Sequence, residues 1–144
     1  MASTQCDAAA VYTQNLVYGA PITVTRNNIS DGKAMAIICN SGIANTCNAD
    51  GVEKAEKMCK LTADVLGIKP EEVIVASTGV IGQILPMEPI ESHMKELADG
   101  LSYDGNQRAA NAIMTTDTVM KEYAVRFTLD GKECTVGGMA KGSG

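Results

Sequence analysis

The sequence predicts an α/β fold, a mixed sheet with flanking helices. Two short, continuous apolar runs at 34–39 (AMAIIC) and 73–77 (VIVAS) read as buried strands. An amphipathic stretch of helical period lies between them. A third stretch, 122–129, alternates apolar and polar residues and runs into Asp130-Gly131, the signature of a hairpin turn. Strands interleaved with helices, plus one antiparallel hairpin, define the class.

From the N-terminus, residues 8–13 and 21–25 read as short β-rich runs around a turn-like segment at 15–20. The run at 34–39 has the continuous apolar character of a strand buried on both faces. Residues 40–50 (NSGIANTCNAD) are rich in Asn, Ser and Gly and read as a loop. The clearest helix covers 51–67, with Val52, Ala55, Cys59, Thr62, Ala63 and Leu66 on one face. Asp50 suits its N-cap, Gly67 its C-terminal stop, and Pro70 follows closely. After the strand at 73–77, a second helix is expected at 87–98, with Met87, Ile90, Met94 and Leu97 inward, and a third at 106–113. In the hairpin, Tyr123, Val125, Phe127 and Leu129 share one side, and the returning strand is expected at 133–136. A glycine-rich loop around Lys141 is expected over 137–144.

Composition bounds what such a chain can do. Its 144 residues are one domain's worth of sequence, and 45% of them are apolar, enough for a real core. With no Trp and one Phe, that core is built from aliphatic residues and Met. The net charge is −5 and the basic residues are scattered, so there is no footprint for nucleic acid or an anionic membrane. The five Cys are odd in number and form no C-x-x-C, which argues against a disulfide framework and a zinc ribbon. They read as buried small hydrophobes, reduced in a cytoplasmic setting. No apolar run approaches the ~20 residues of a membrane span, and the first ten residues carry no basic region of a secretion signal.

Few residues invite chemistry. The single histidine, His93, falls beside the polar face of its helix and reads as a surface residue. One His excludes a zinc cluster, and no G-x-S-x-G elbow supports a Ser-His-Asp triad. Residues 76–82 (ASTGVIG) leave a buried strand for small residues, where free backbone N–H groups beside a hydroxyl suit an oxyanion hole. An ordinary strand-to-helix turn with a positive-φ glycine accounts for the same residues. Residues 114–118 (MTTDT) could bind a small polar substrate or terminate the preceding helix. Lys141 among glycines suits a substrate carboxylate, or is a solvated loop lysine. Its surroundings fail the phosphate-loop pattern, since no Ser or Thr follows it directly.

Taken together, AAAVYTQNLVYGAP, NSGIANTCNADG, ASTGVIGQILPM, IMTTDT and TVGGMAKGSG stand in an order and spacing that resemble the bifunctional ornithine acetyltransferase/N-acetylglutamate synthase family, over essentially the whole chain. The resemblance implies a self-cleaving N-terminal-nucleophile fold. Its precursor splits at an Ala-Thr bond, and the new N-terminal Thr of the β chain takes acetyl from N-acetylornithine and passes it to glutamate, in arginine biosynthesis. A Thr whose own amine serves as base fits the lack of any other base here. Carried onto this chain, the resemblance implies that Thr78 and Gly79 are the oxyanion pair. Thr115, with Thr116 close behind, and Lys141 would bind substrate. No metal or cofactor is implied, and acetyl-CoA as a further acetyl donor stays open. The implied partners are a β chain, in an α₂β₂ or larger assembly, with ornithine, N-acetylornithine and glutamate as ligands.

Residues 1–144 would then be the α-chain portion, lacking the family's extreme N-terminus and its Asn-Met-Ala-Thr cleavage site, and inactive alone. Two other readings remain open at this level: a self-cleaving aminopeptidase of related fold, and a non-catalytic amino-acid-binding module. The TTD and GGMAKG motifs favour the transferase over the first.

Overall fold

A computed structural model describes residues 1–142. Ser143 and Gly144, the end of the expected glycine-rich loop, lie outside the described residues. The fold is α/β as expected. The one expected domain resolves into two compact units, divided after Leu101.

The first unit is built on a parallel pair, β3 (Ala36–Asn40) and β4 (Val73–Ser77), in register from Ala36↔Val73 to Asn40↔Ser77. Helix α2 (Gly51–Leu66) makes the crossover between them. Ahead of them, β1 (Cys6–Asp7) and β2 (Lys33–Ala34) pair antiparallel. Ala36, Ile38, Val73 and Val75 on one sheet face meet Ala55, Met58, Cys59 and Ala63 of α2, and Val24 and Leu85 complete this core. Gly67 ends α2 in the left-handed conformation (φ +67°), and its N–H donates to the Ala63 carbonyl. Asp50 precedes α2 without capping it, and its carboxylate pairs instead with Lys54 at 2.8 Å. Helix α3 (Glu88–Asp99) carries Pro89 in its first turn and buries Met94.

Several expectations are corrected. Residues 21–25 are helical, inside α1 (Ala20–Asn28), which has Pro21 in its first turn. Their β-branched composition is a weak preference, and packing overrides it. Thr25 and Asn28, three apart on one face of α1, reach the edge of β4 that faces away from β3. The Thr25 hydroxyl donates to the Val75 carbonyl at 2.8 Å and accepts the Val75 N–H at 3.1 Å. The Asn28 amide donates to the Val73 carbonyl at 2.8 Å and the Pro70 carbonyl at 3.1 Å. Helix side chains thus do for β4 what another strand would do, and cover its edge.

Residues 8–13 form no strand. The Ala8 N–H donates to the Gly32 carbonyl at 2.8 Å, and no ladder continues beyond it. Tyr12 instead lies beneath the Arg26 guanidinium of α1, 4.8 Å from ring centre to carbon. The run at 34–39 is broken at Met35 and is covered on one face only, leaving Ile37 69% exposed. Val52 and Leu97 lie outside the inner faces expected for them, and Met58 is fully buried in their stead. Of the five cysteines only Cys59 is buried; all are free thiols, and Cys6, Cys39 and Cys47 are exposed.

The second unit holds α4 (Asn106–Ala112) and the hairpin β5 (Lys121–Leu129) and β6 (Lys132–Ala140). Asp130 and Gly131, with φ of +49° and +76°, make the two-residue turn that their sequence signals. The returning strand is longer than expected. It runs through Gly137 and Gly138 to Ala140, paired throughout from Leu129↔Lys132 to Lys121↔Ala140. Among the described residues, no helix is long and apolar enough to cross a membrane.

The bridging hydroxyl gives a direct test. Thr25→Val keeps the shape but leaves two buried backbone groups of Val75 without partners, and should destabilise the protein by about 1–3 kcal/mol. Thermal or urea unfolding of the variant against the parent measures it.

Candidate functional site

In the first unit, both strands of the parallel pair end at the same level, and the segments that follow them zip together. Ile43 and Val80 form a parallel bridge beyond the strands. The Val80 N–H donates to the Gly42 carbonyl (3.0 Å), and the Ala44 N–H to the Val80 carbonyl (2.9 Å). Ser77 ties the two segments further: its hydroxyl donates to the Ile43 carbonyl (3.2 Å) and accepts the Asn45 N–H (2.9 Å). Asn45 is fully buried and donates to the Gly51 carbonyl at the start of α2 (2.6 Å).

Thr78 and Gly79 stand at the exposed tip of this zipper. The Thr78 N–H is taken by the Asn40 carbonyl at 3.1 Å. Its hydroxyl lies 3.2 Å from the Ser41 hydroxyl and 3.4 Å from the Asn40 carbonyl, with room to redirect its proton. The Gly79 N–H meets no acceptor among the described residues. Gly79 sits at φ +131°, and a Cβ there would stand 2.2 Å from the carbonyl carbon and oxygen of Gly42, itself at φ +107°. The tip therefore requires glycine at position 79 on two counts, conformation and space. What it offers a ligand is one hydroxyl and one backbone N–H on adjacent residues, the pair of donors an oxyanion needs. Gly42 is the residue that sequence reading missed here; its place in a Gly-rich loop opposite ASTG was the available signal.

In the second unit, the length of β6 decides where Lys141 lies. With nine residues on each side of a two-residue turn, the chain comes back level with Lys121, so Lys141 falls beside the loop 113–120. Its ammonium donates to the Thr115 hydroxyl at 2.9 Å and to Asp117 Oδ2 at 3.0 Å. Asp117 also accepts from Lys121 Nζ at 2.7 Å, from the Gly142 N–H at 2.9 Å and, at 3.5 Å, from the Thr115 N–H. Its side chain is 1% exposed, against 14% for Lys141 and 40% for Lys121. The Lys121 ammonium, then the Gly142 N–H and Lys141, hold the Asp117 carboxyl well below its ordinary range. Both candidate threonines are exposed, and Thr115 is the one whose hydroxyl accepts from Lys141. Lys141, just past the end of β6, is therefore a tethered cation rather than a solvated one, and Asp117 is the residue that sequence reading left without a role.

His93 is exposed and lies 2.9 Å from the Pro89 carbonyl within its own helix, as a surface histidine. No group of three or more His, Cys, Asp or Glu among the described residues is placed to hold a metal ion. Burial pushes the Cys59 thiol up to about 11, which makes it a core residue rather than a nucleophile.

A chain of this class, α/β with a hydroxyl–amide donor pair past a parallel strand and a lysine fixed at a hairpin's open end, has close structural counterparts. The crystal structure of arginine biosynthesis bifunctional protein ArgJ from Bacillus halodurans superposes with a TM-score of 0.90 at 41% identity, covering 98% of this chain and 75% of that one. The structure of ornithine acetyltransferase complexed with ornithine, from Mycobacterium tuberculosis, gives 0.89 at 36% identity, covering 96% and 74%. The model of the ArgJ family matches residues 1–144, and the chain belongs to that family. Among curated relatives, the arginine biosynthesis bifunctional protein ArgJ of Symbiobacterium thermophilum is 48% identical over 140 residues, 96% of this chain and 35% of the relative. That of Geobacillus kaustophilus is 46% identical over 139 residues, 95% and 34%. The chain thus spans about a third of the length of the curated relatives it matches.

The Asp117 cluster predicts a pH signature. A carboxyl whose folded-state pKa is depressed stabilises the fold fully above its ordinary value of 3.8 and loses that contribution as pH falls below it. The melting temperature of the parent should exceed that of Asp117→Asn by a constant margin at neutral and mildly acidic pH. The margin should shrink as pH drops through the ordinary value. Paired thermal melts across that range check it.

Proposed function

We propose that this chain is the α-chain part of an acetyltransferase of arginine biosynthesis that moves acetyl from N-acetylornithine to glutamate. Its partner is a β chain whose N-terminal Thr is the nucleophile, in a cytoplasmic α₂β₂ or larger assembly. The observation that carries the reading is the fixed lysine. A cation held by Thr115 and Asp117 at the end of a strand suits the α-carboxylate that donor and acceptor amino acids share. The Mycobacterium tuberculosis relative, 36% identical, is an ornithine acetyltransferase complexed with ornithine, which supports the same substrate class.

In this reading the β-chain Thr hydroxyl adds to the acetyl carbonyl, its proton passing to the threonine's own amine. The carbonyl oxygen becomes an oxyanion and accepts from the Thr78 hydroxyl and the Gly79 N–H. The C–N bond then breaks, and ornithine leaves with the proton. An acetyl ester remains on the Thr. The glutamate amine attacks that ester, and N-acetylglutamate departs as the Thr hydroxyl is restored. Splitting one transfer into two steps at one donor pair lets the same oxyanion site serve both. Acetyl-CoA, a thioester, would enter at the first step as an alternative donor.

The test uses the uncleaved full-length precursor that contains this chain and its β segment. Incubated with N-acetylornithine and glutamate, it should form N-acetylglutamate, with a transient acetyl adduct on the Thr-led chain by mass spectrometry. Self-cleavage without product would point instead to a related hydrolase. Thr78→Ala should lower the rate of transfer by about 10²–10³, the usual effect of losing one oxyanion donor. An unchanged rate would remove Thr78 from that role.

A further inference from the structure

A lysine ammonium is a point charge on a flexible stem, and on its own it is a poorly positioned ligand for a carboxylate. Lys141 is not on its own. Two of its three N–H groups are directed, one to the Thr115 hydroxyl and one to Asp117 Oδ2, and among the described residues the third meets no acceptor. Asp117 is the centre of that arrangement. It is covered, and it draws together Lys141, Lys121, the Gly142 N–H and the Thr115 N–H.

The charge count matters as much as the geometry. A carboxylate paired with Lys141 alone would cancel the charge that a substrate must find there. Lys121 supplies a second ammonium to the other carboxylate oxygen, so two cations share one anion and the cluster keeps one net positive charge. The two lysine side chains keep some exposure while the aspartate side chain keeps almost none. Asp117 therefore orients Lys141 without neutralising the cluster.

We infer that Asp117 is a positioning residue for substrate. It holds Lys141 and Thr115 in the geometry that receives the α-carboxylate, and Lys121 balances it so that the cluster stays cationic. The inference rests on the reading of Lys141 as the carboxylate ligand given above. Asp117 touches neither substrate nor reacting atoms and acts through Lys141.

A double-mutant cycle in the assembled enzyme tests it, with N-acetylornithine as the varied substrate. Asp117→Asn should raise KM by about tenfold, with kcat within about threefold, since a misplaced cation weakens ground-state binding before it affects the chemistry. In a Lys141→Met background the same change should add little, because the group Asp117 positions is already gone. A merely structural aspartate would add its full cost there and would lower the folded fraction rather than shift KM. An unchanged KM in Asp117→Asn, or an equal rise with and without Lys141, overturns the positioning role while leaving the transfer reaction standing. If the unsubstituted enzyme transfers no acetyl, the functional reading fails, and this inference with it. Should Asp117→Asn not fold, Lys121→Met at the half-exposed lysine takes its place. Asp117 then pairs with Lys141 alone, and KM should rise several-fold; an unchanged KM overturns the inference.

Discussion

Parallel strands cannot be joined by a tight turn, and the first unit is organised around that constraint. The chain leaving β3 must travel back through α2 before β4 can pair with it, so the two strands finish side by side and their following segments emerge together. Everything at the candidate oxyanion site follows from this: the Ile43↔Val80 bridge, the Ser77 hydroxyl bonded to Ile43 and Asn45 of the facing segment, and Thr78-Gly79 at the tip. Ligands in α/β proteins gather beyond the carboxyl ends of the strands for the same reason. The helices do more than cover a face. Through Thr25 and Asn28, α1 bonds the outer edge of β4 at Val73 and Val75, where no third strand lies among the described residues.

The second unit obeys a different rule. There a tight turn is allowed, and the Asp130-Gly131 turn sets a register that runs unbroken for nine residues on each side. Register is a ruler: it decides that Lys141 comes back to the loop carrying Thr115 and Asp117 and not elsewhere. A lysine and an aspartate 24 residues apart are made neighbours by strand length alone. Both units reach a similar end by these opposite routes. A regular ladder stops, and the residues just past its last bond carry the polar groups on offer.

Much of this was legible in the sequence. The helix at Gly51–Leu66, the strand at Val73–Ser77 and the hairpin turn announce themselves through periodicity, a glycine stop and Asp-Gly. The candidate site residues stood out only within long motifs, because ASTG, TTD and AKG are each compatible with a plain turn. What was illegible is non-local. Residues 21–25 look like a strand because their side chains are β-branched; they are helical because Val24 and Thr25 meet the sheet. Gly137 and Gly138 look like a loop because glycine is weak in strands, yet their partners Ala124 and Tyr123 keep the ladder going. Asp117 was hidden for a third reason. A carboxylate in a polar loop looks solvated, and only the return of β6 reveals that four donors converge on it.

The contact between Gly79 and Gly42 has an evolutionary side. Where a bulky side chain meets another, an enlargement on one partner can be offset by a truncation on the other, and lineages drift through such exchanges. Here backbone meets backbone, and position 42 has no atoms to surrender. A change at 79 has no second-site remedy short of moving both loops. Moving them would displace the donor pair itself, so variation around this tip must enter at its flanks.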